Sequence, residues 1–367
     1  MWTESRFKVE KVMNRFNEKI NMQKKRKCTL KDVAREANVS VGTVSHYLNN
    51  ANSVKLENRQ RIKSVISQLG YTPNISARSL ASGKSKNIIL FVLSERVISP
   101  TTWLHQLPMI QTAHDLLSAN GYSLQICIVY EDDYDCFICK VRNCVESKAA
   151  DGILLLSVWK IRDDLIDYLV SKHYPFVCLD NEGDRENVQY VCFDNQKLMS
   201  DMVDVLYHYG HRRIAYINVH SHQQDMHLRY LGYVYGMRIH ELPLDEDNIL
   251  YGDFSIESGY QCVLKALGEG RKFTAILCGN DNMAVGAFKA LTERGLRVPE
   301  DISLIGVDNS IAANACSISL QTVEFDMQRL AEVAVKLLLE DMLTGNTRGG
   351  ILRLGYKTVQ GCTLEYV

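Results

Sequence analysis

The sequence predicts a small all-α module joined through a linker to a larger α/β body of two lobes. Three observations carry this. Residues 1–86 hold 18 Lys+Arg against 6 Asp+Glu, a balance of +12, which leaves 24 against 37, a balance of −13, for residues 87–367. Two short helical patterns joined by a tight turn lie inside the basic part. From Asn87 onward, apolar runs of strand length alternate with longer stretches of helical spacing. A basic module on an acidic body is the pattern expected when only the module approaches a polyanion.

Composition narrows the class. A chain of 367 residues, 46% hydrophobic and 23% charged, has the usage of a soluble globular protein of two or three domains. No apolar run approaches the roughly 20 residues of a membrane span. Met1-Trp2-Thr3-Glu4-Ser5-Arg6 leads into a charged stretch and not into a signal-peptide core. The 11 cysteines, an odd number scattered through apolar segments, favour reduced thiols over a disulfide framework. A cytoplasmic protein is expected.

The elements follow in order. Residues 1–27 are an N-terminal extension ending in Lys24-Lys25-Arg26-Lys27, with Val9, Val12, Met13, Phe16 and Ile20 on one amphipathic stripe. In residues 28–72, Thr29 suits an N-cap and Asp32 completes a capping-box-like pattern. Leu30, Val33, Ala34 and Ala37 form the apolar face, and Asn38 can take the left-handed conformation that ends a helix. Ser40 then caps a second helix whose inward face is Val44, Tyr47 and Leu48. Two such helices and their turn make a helix-turn-helix. A third helix is predicted over 57–69, with Ile62, Val65, Ile66 and Leu69 inward and Gly70 ending it. In this motif the second helix enters the major groove and its N-terminal residues meet base edges. Val41, Gly42 and His46 are placed for that. Ser40, Thr43, Ser45 and Asn49 suit phosphates, which set register without reading sequence. The alternative, a three-helix domain packing on another protein, leaves the +12 balance without a purpose.

Residues 73–86 are Ser/Ala/Lys-rich and begin at Pro73, like a linker. Beyond them, 88–93, 124–130, 152–156, 176–179, 214–217, 275–278 and 303–307 are apolar runs of strand length, and 351–362 is a last strand-like region. Stretches 104–120, 198–209 and 282–294 carry helical spacing between them. Continuous apolar strands separated by helices imply parallel sheets covered on both faces. Their number exceeds one comfortable sheet, so two lobes are expected.

The segment 29–49, Gly70-Tyr71-Thr72-Pro73-Asn74 and Ala77-Arg78-Ser79-Leu80 resemble the lac repressor/galactose repressor (LacI/GalR) family of bacterial transcription regulators. Later segments agree: Gly210-His211-Arg212-Arg213-Ile214-Ala215, Arg229-Tyr230-Leu231-Gly232-Tyr233, Gly279-Asn280-Asp281-Asn282-Met283-Ala284, Val298-Pro299-Glu300-Asp301-Ile302-Ser303 and Ile305-Gly306-Val307-Asp308-Asn309. The resemblance runs from about Cys28 to the C-terminus. It implies a helix-turn-helix domain at 28–72, a hinge helix within 73–86 and a periplasmic-binding-protein-like core at 87–367. One lobe of that core would take about 87–193 and 325–352, the other about 194–324 and 353–367. A homodimeric repressor on pseudo-palindromic double-stranded operator DNA is implied, its affinity controlled by a small-molecule effector in the cleft. Two hinge helices, carrying Asn74, Ala77 and Arg78, would lie in the minor groove. Leu80 would be the apolar wedge that unstacks the central step, at a cost of a few kcal/mol. The alternative is a flexible linker with Leu80 packed on the core. No heptad tail follows 351–362, so a dimer is expected rather than a tetramer.

Two positions depart from the family pattern. His46 stands where Arg is usual, and Gly42 replaces a usual base-reading side chain. Arg holds guanine through two hydrogen bonds, whereas neutral His offers one donor and one acceptor. Gly in a helix also costs about 1 kcal/mol relative to Ala. An unusual operator is expected, or one that relies more on the Leu80 kink. Family members begin near Met22, which leaves residues 1–21 as either an upstream misread start or an extra amphipathic helix.

Open α/β sheets bind ligands beyond the carboxyl ends of their strands. Asn280 and Asp281 follow 275–278, Asp308 follows 303–307, and Ser157 and Trp159 follow 152–156. A carboxylate, an amide and a guanidinium can take up the paired hydroxyls of a sugar while an aromatic ring covers its apolar face. By resemblance, Arg229, Asn280 and Asp308 contact the effector, a sugar in the first reading and a purine-type corepressor in the second. Trp103 is a weaker candidate. Each has a structural alternative: helix caps for Asn280 and Asp308, a surface ion pair for Arg229, core positions for the tryptophans.

Cys136, Cys139 and Cys144 invite a zinc or redox reading, but the segment reads as helix without a second close Cys/His pair, so core cysteines are expected. His220, His222 and His227 read as a solvated loop, and Asp163-Asp164 as an exposed helix start. No phosphate-cradling glycine loop or nucleophile elbow occurs. No cofactor, metal or catalytic residue is therefore predicted. A sugar-acting enzyme would need an acid/base pair in the cleft. A stand-alone solute-binding protein would need a secretory signal and no basic module.

Overall fold

Thr29 opens the first helix, α1 (Leu30–Glu36), through a full capping box: its side chain accepts from the Asp32 N–H, and Asp32 accepts from the Thr29 N–H at 2.9 Å. Asn38 then turns left-handed at φ 52° and the chain re-enters as α2 (Val41–Asn49). A third helix, α3 (Leu56–Leu69), ends on Gly70 at φ 58°. Val33, Ala34, Ala37, Val44, Val54 and Ile62 are the buried centre of this unit, with Leu30, Tyr47, Leu48, Val65 and Ile66 packed around it. Leu69 departs from the predicted inward face and is 37% exposed, one residue before the terminating glycine.

The computed structural model describes residues 28–49, 51–71, 84–95, 100–219, 222–315, 317–345 and 349–367. The expected extension, residues 73–83 of the expected hinge segment and His220 lie outside these residues. The chain divides into two compact units, Met1–Gly83 and Lys84–Val367.

In the second unit the chain runs β1 (Asn87–Ser94), α4 (Pro100–Ala119), β2 (Ser123–Tyr130), α5 (Tyr134–Ser147), β3 (Gly152–Leu156), α6 (Asp163–Ser171), β4 (Phe176–Leu179) and β5 (Gln189–Phe193). It then crosses to α7 (Asn195–His208), β6 (Ile214–Val219), α8 (Gln224–Ile239), β7 (Ile249–Gly252), α9 (Ile256–Gly268), β8 (Ala275–Cys278), α10 (Asp281–Glu293), β9 (Ser303–Ile305) and the short α11 (Ile311–Ala315). It ends β10 (Thr322–Phe325), α12 (Met327–Thr344), β11 (Gly350–Leu354) and β12 (Tyr356–Val359).

One lobe holds a six-stranded sheet in the order β11-β5-β4-β3-β1-β2, and the other a four-stranded sheet in the order β7-β6-β8-β9. Both are parallel throughout. The pleat explains the unbroken apolar runs. Along β1, Ile88, Leu90 and Val92 enter one core cluster while Ile89, Phe91 and Leu93 enter another on the opposite face.

The single strand-like region over 351–362 becomes two strands. β11 joins β5 in the first lobe, and after Gly355 β12 pairs antiparallel with β10. The chain thus passes between lobes near Phe193, Phe325 and Leu354. The rings of Phe193 and Phe325 sit 4.6 Å apart, and Asp194 N–H donates to Leu354 O at 3.3 Å. Glycine sets the approach of α8 to α7: a Cβ at Gly232 would lie 2.1 Å from Gln196 O. Among the described residues no helix is long and apolar enough to cross a membrane, and no group of three or more His, Cys, Asp or Glu could hold a metal ion. Cys144 is buried on α5 and Cys139 is exposed.

Candidate functional site

The exposed start of α2 carries the first set of predicted residues. Val41 is 40% exposed, and Gly42 and His46 are exposed as well, while Val44 is fully buried. Ser40 Oγ accepts the Thr43 N–H at 3.0 Å and hydrogen-bonds with Thr43 Oγ1 at 2.8 Å. Both hydroxyls therefore help to hold the helix start as well as facing outward. Ser45 is half-buried, and Asn49 closes the helix with its side chain outside the described residues. Asn74, Ala77, Arg78 and Leu80 lie outside the described residues. So does the side chain of Trp103, whose backbone belongs to α4.

Between the lobes lies a cavity of about 170 Å³, and its wall brings together Ser157, Trp159, Arg229, Asn280 and Asp308. Arg229 projects from α8 and is 6% exposed, so the surface ion pair is excluded. Its Nε donates to Asn195 Oδ1 at 2.8 Å and its Nη1 to Gly279 O at 2.5 Å. Its Nη2 stands 3.8 Å from Asp308 Oδ1, and its guanidinium lies 5.4 Å from the Phe325 ring centroid. One side chain thus ties the first crossover (Asn195), the second crossover (Phe325), the end of β8 and a cleft acid.

Asn280 is the N-cap of α10: its Oδ1 accepts the Met283 N–H at 3.0 Å while its Nδ2 donates to Phe254 O at 3.2 Å. Capping is thus one role of this residue, at the cavity wall. Asp308 has φ 110°, and its N–H donates to Val323 O at 2.8 Å. The buried Asp281 fixes the loop that follows, with Ser310 N–H donating to its Oδ2 at 2.6 Å and Thr322 Oγ1 donating to its Oδ1 at 2.5 Å. Ser157 uses its hydroxyl internally, donating to Trp159 O at 2.7 Å and accepting the Trp159 N–H at 3.1 Å. It shapes the turn that presents Trp159, and Asn181 Nδ2 braces the same carbonyl at 2.6 Å.

Sequence reading missed Glu95, Asp180 and Asp225, which line the same cavity. Asp180 directly follows β4, so the strand-end rule applied one strand further would have found it. Asp225 precedes Arg229 by one helical turn on α8. Like Asp308, Asp180 has positive φ, at 52°. Non-glycine residues held there store strain of order 1–3 kcal/mol, a feature of functional sites.

Burial pushes the Asp180 carboxyl up to about 7, with Asp225 and Asp308 adding repulsion and Arg229 opposing them. Burial also raises Asp225 and Asp308, again against Arg229, and raises Glu95 with help from Glu131. A carboxyl whose folded value is raised binds more protons when folded, so stability falls as pH rises from its unfolded value toward its folded one. Asp180→Asn keeps the left-handed backbone that Asn tolerates and removes this penalty. We expect its melting temperature at pH 8 to exceed the parent's by about 2–4 °C, roughly 1 kcal/mol in a body of this size. The gain should shrink as the pH falls toward 4. A pH-independent difference in differential scanning calorimetry would refute the assignment.

The lobes are bridged beside the cavity. Gln224 N–H donates to Val158 O at 2.7 Å, Gln224 Nε2 to Glu182 O at 2.8 Å, and Gln223 Nε2 to Glu95 Oε1 at 2.7 Å.

Residues 29–74 match the family of bacterial regulatory proteins, lacI family, and residues 203–361 match a periplasmic binding protein-like domain. The chain is 31% identical over 311 residues to the probable HTH-type transcriptional repressor ExuR of Bacillus subtilis (strain 168), across 85% of this chain and 90% of that protein. It is 34% identical over 319 residues to the HTH-type transcriptional repressor PurR of Haemophilus influenzae (strain PittEE), across 85% and 90%. A solved lac repressor dimer bound to operator and the anti-inducer ONPF is similar with a TM-score of 0.80 at 26% identity, covering 92% of this chain and 99% of that one. A complex of the transcriptional regulator CelR with cellobiose is similar with a TM-score of 0.66 at 25% identity, again covering 92% and 99%.

Proposed function

The chain belongs to the lacI family of bacterial regulatory proteins, and from that premise we propose a cytoplasmic repressor whose operator affinity is set by a small polyhydroxylated effector between its lobes. A homodimer presents two helix-turn-helix units to a pseudo-palindromic operator. Val41 and His46 read base edges, and the Ser40, Thr43, Ser45 and Asn49 positions face phosphates. Asn74, Ala77, Arg78 and Leu80 serve the minor groove.

The observation that carries the effector reading is the convergence of strand-end and helix residues from both lobes on one cavity. Asn280, Asp308 and Arg229 approach from one side, Trp159 and Asp180 from the other. Because Arg229 also contacts two of the three crossovers, at Asn195 and Phe325, a ligand that engages it biases the angle between the lobes. Coupling of this kind is worth about 1–3 kcal/mol, a 5–150-fold change in operator affinity. The related proteins are named as repressors, not as enzymes. The name PurR among them, together with the aromatic walls Trp159, Phe193, Phe254 and Phe325, supports the second reading of a flat corepressor that tightens DNA binding.

The test is to incubate the purified chain with genomic fragments at about 0.15 M salt, where non-specific binding is weak, and to sequence those retained. Enrichment of one palindrome is expected. Enrichment only after adding a purine base would select the corepressor reading. Retention without any common sequence, with or without ligand, would refute sequence-specific regulation.

A further inference from the structure

The charge of the cavity is unbalanced. Among the described residues its wall carries four carboxyl groups, Glu95, Asp180, Asp225 and Asp308, against one guanidinium, Arg229, and one imidazole, His105. Among the described residues no lysine, arginine or histidine forms an ion pair with Glu95, Asp180 or Asp225, and Asp308 has Arg229 at 3.8 Å. Arg229 is itself pinned by Asn195 and Gly279. The acids come from four separate places: the end of β1, the end of β4, the first turn of α8 and the loop after β9. No group of three or more of them is placed to hold a metal ion among the described residues.

Hydroxyl groups of a neutral sugar can occupy carboxylate lone pairs but do not offset the excess of carboxylates over the single guanidinium in a site that loses water on closure. An anionic ligand adds to the repulsion. A protonated amine removes it, because an opposite charge within a few ångström stabilises each ionised carboxylate. The remaining wall suits the same ligand. Trp159 and Phe254 bring aromatic rings, which attract cations, to the wall, while Asn280 and Ser310 bring neutral polar groups that suit hydroxyls.

We propose that the effector of this cleft is a hydroxylated amine bound as a cation, with the chemistry of a free amino sugar. The proposal rests on the effector reading above and names its chemical class. Asp225 and Glu95 are the residues that set this selectivity: among the described residues neither forms an ion pair, and Asp225 has only the field of Arg229, which is already pinned by Asn195 and Gly279.

The experiment uses the full chain near neutral pH. Melting temperature and calorimetric titration are recorded with glucosamine, galactosamine and mannosamine, their N-acetyl forms, the parent hexoses and the matching uronates. Each set keeps the stereochemistry of the ring while the charge runs from positive through neutral to negative, and the parent hexose, which is smaller than the N-acetyl form, separates charge from bulk. At least one free amine should raise the melting temperature, with its N-acetyl form and uronate binding at least tenfold more weakly. Its affinity should weaken as salt rises from 0.05 to 0.5 M. Asp225→Asn should lower that affinity about tenfold without lowering the melting temperature of the empty protein. Glu95→Gln provides a second readout should the first variant fold poorly.

Stabilisation by neutral hexoses or uronates equal to that by amines would overturn the proposal, as would the absence of any response to all three amines. If a neutral or acidic sugar binds and Arg229→Met abolishes that binding, the cleft reading survives and the charge assignment falls. If binding persists in Arg229→Met, the cleft reading itself falls.

Discussion

Arg229→Met is expected to unbalance the body and to disconnect the effector from the operator. The side chain is buried, and it holds Asn195 Oδ1, Gly279 O and, at 3.8 Å, Asp308. Methionine keeps much of the volume against Phe325 but leaves the carboxylates of Asp180, Asp225 and Asp308 without their one strong counter-charge. Removing one partner of a buried ion pair costs about 3–5 kcal/mol, because the other charge stays buried. In a body of this size that lowers the melting temperature by roughly 6–15 °C.

The pH dependence follows from the same charges. Burial already raises all three carboxyls, and Arg229 opposes each rise. Without it their folded-state values climb further, so the variant's deficit is largest above pH 7 and shrinks on acidification as the acids become neutral. Thermal denaturation at pH 5 and pH 8 measures this. A deficit equal at both values, or a variant within about 2 °C of the parent at pH 8, contradicts the electrostatic role. Operator affinity at permissive temperature should no longer respond to effector, because two of the three crossovers have lost the side chain that joined them to the cavity.

How far the site could be read from residues alone depended on whether the signal was local. Thr29, Asp32, Asn38, Ser40 and Gly70 shape the ends of the first three helices through their own side chains or backbone freedom, and each acts where the sequence placed it. Trp159, Asn280 and Asp308 line the cavity for an equally local reason, since a parallel strand carries its last residues to one edge of the sheet. Non-local facts were illegible. β5, β7 and β10 are four or five residues long, and only their ladder partners make them strands. The run over 351–362 looked like one strand because periodicity does not reveal that Gly355 separates two sheets. Ser157 showed the right position but not that its hydroxyl is engaged by Trp159. Arg229 showed charge but not burial, which depends on four segments distant in sequence.

The mirror image of the arginine variant lies in the first unit. Ile62→Ala should abolish specific operator binding while leaving the body folded and able to bind its effector. Ile62 is fully buried and is the largest side chain among the six buried residues there. Isoleucine-to-alanine changes in packed cores cost about 2–5 kcal/mol, combining the lost transfer energy with the cavity left behind. The described part of this unit, about 43 residues, has Cys28 as a free thiol and no metal-holding group, and a helical core of this size has only a few kcal/mol of stability to lose. The substitution therefore moves this unit to the unfolded side of its equilibrium at 37 °C. The second unit has its own clusters around β1, β3, β6 and β8 and shares no residue with the Ile62 cluster. Operator affinity should fall at least 100-fold, to the non-specific level, while the main calorimetric transition stays within about 2 °C of the parent. Retention of full operator affinity would mean that the helix-turn-helix draws its stability from contacts other than this core. A matching loss in the main transition would mean that the two units do not fold independently.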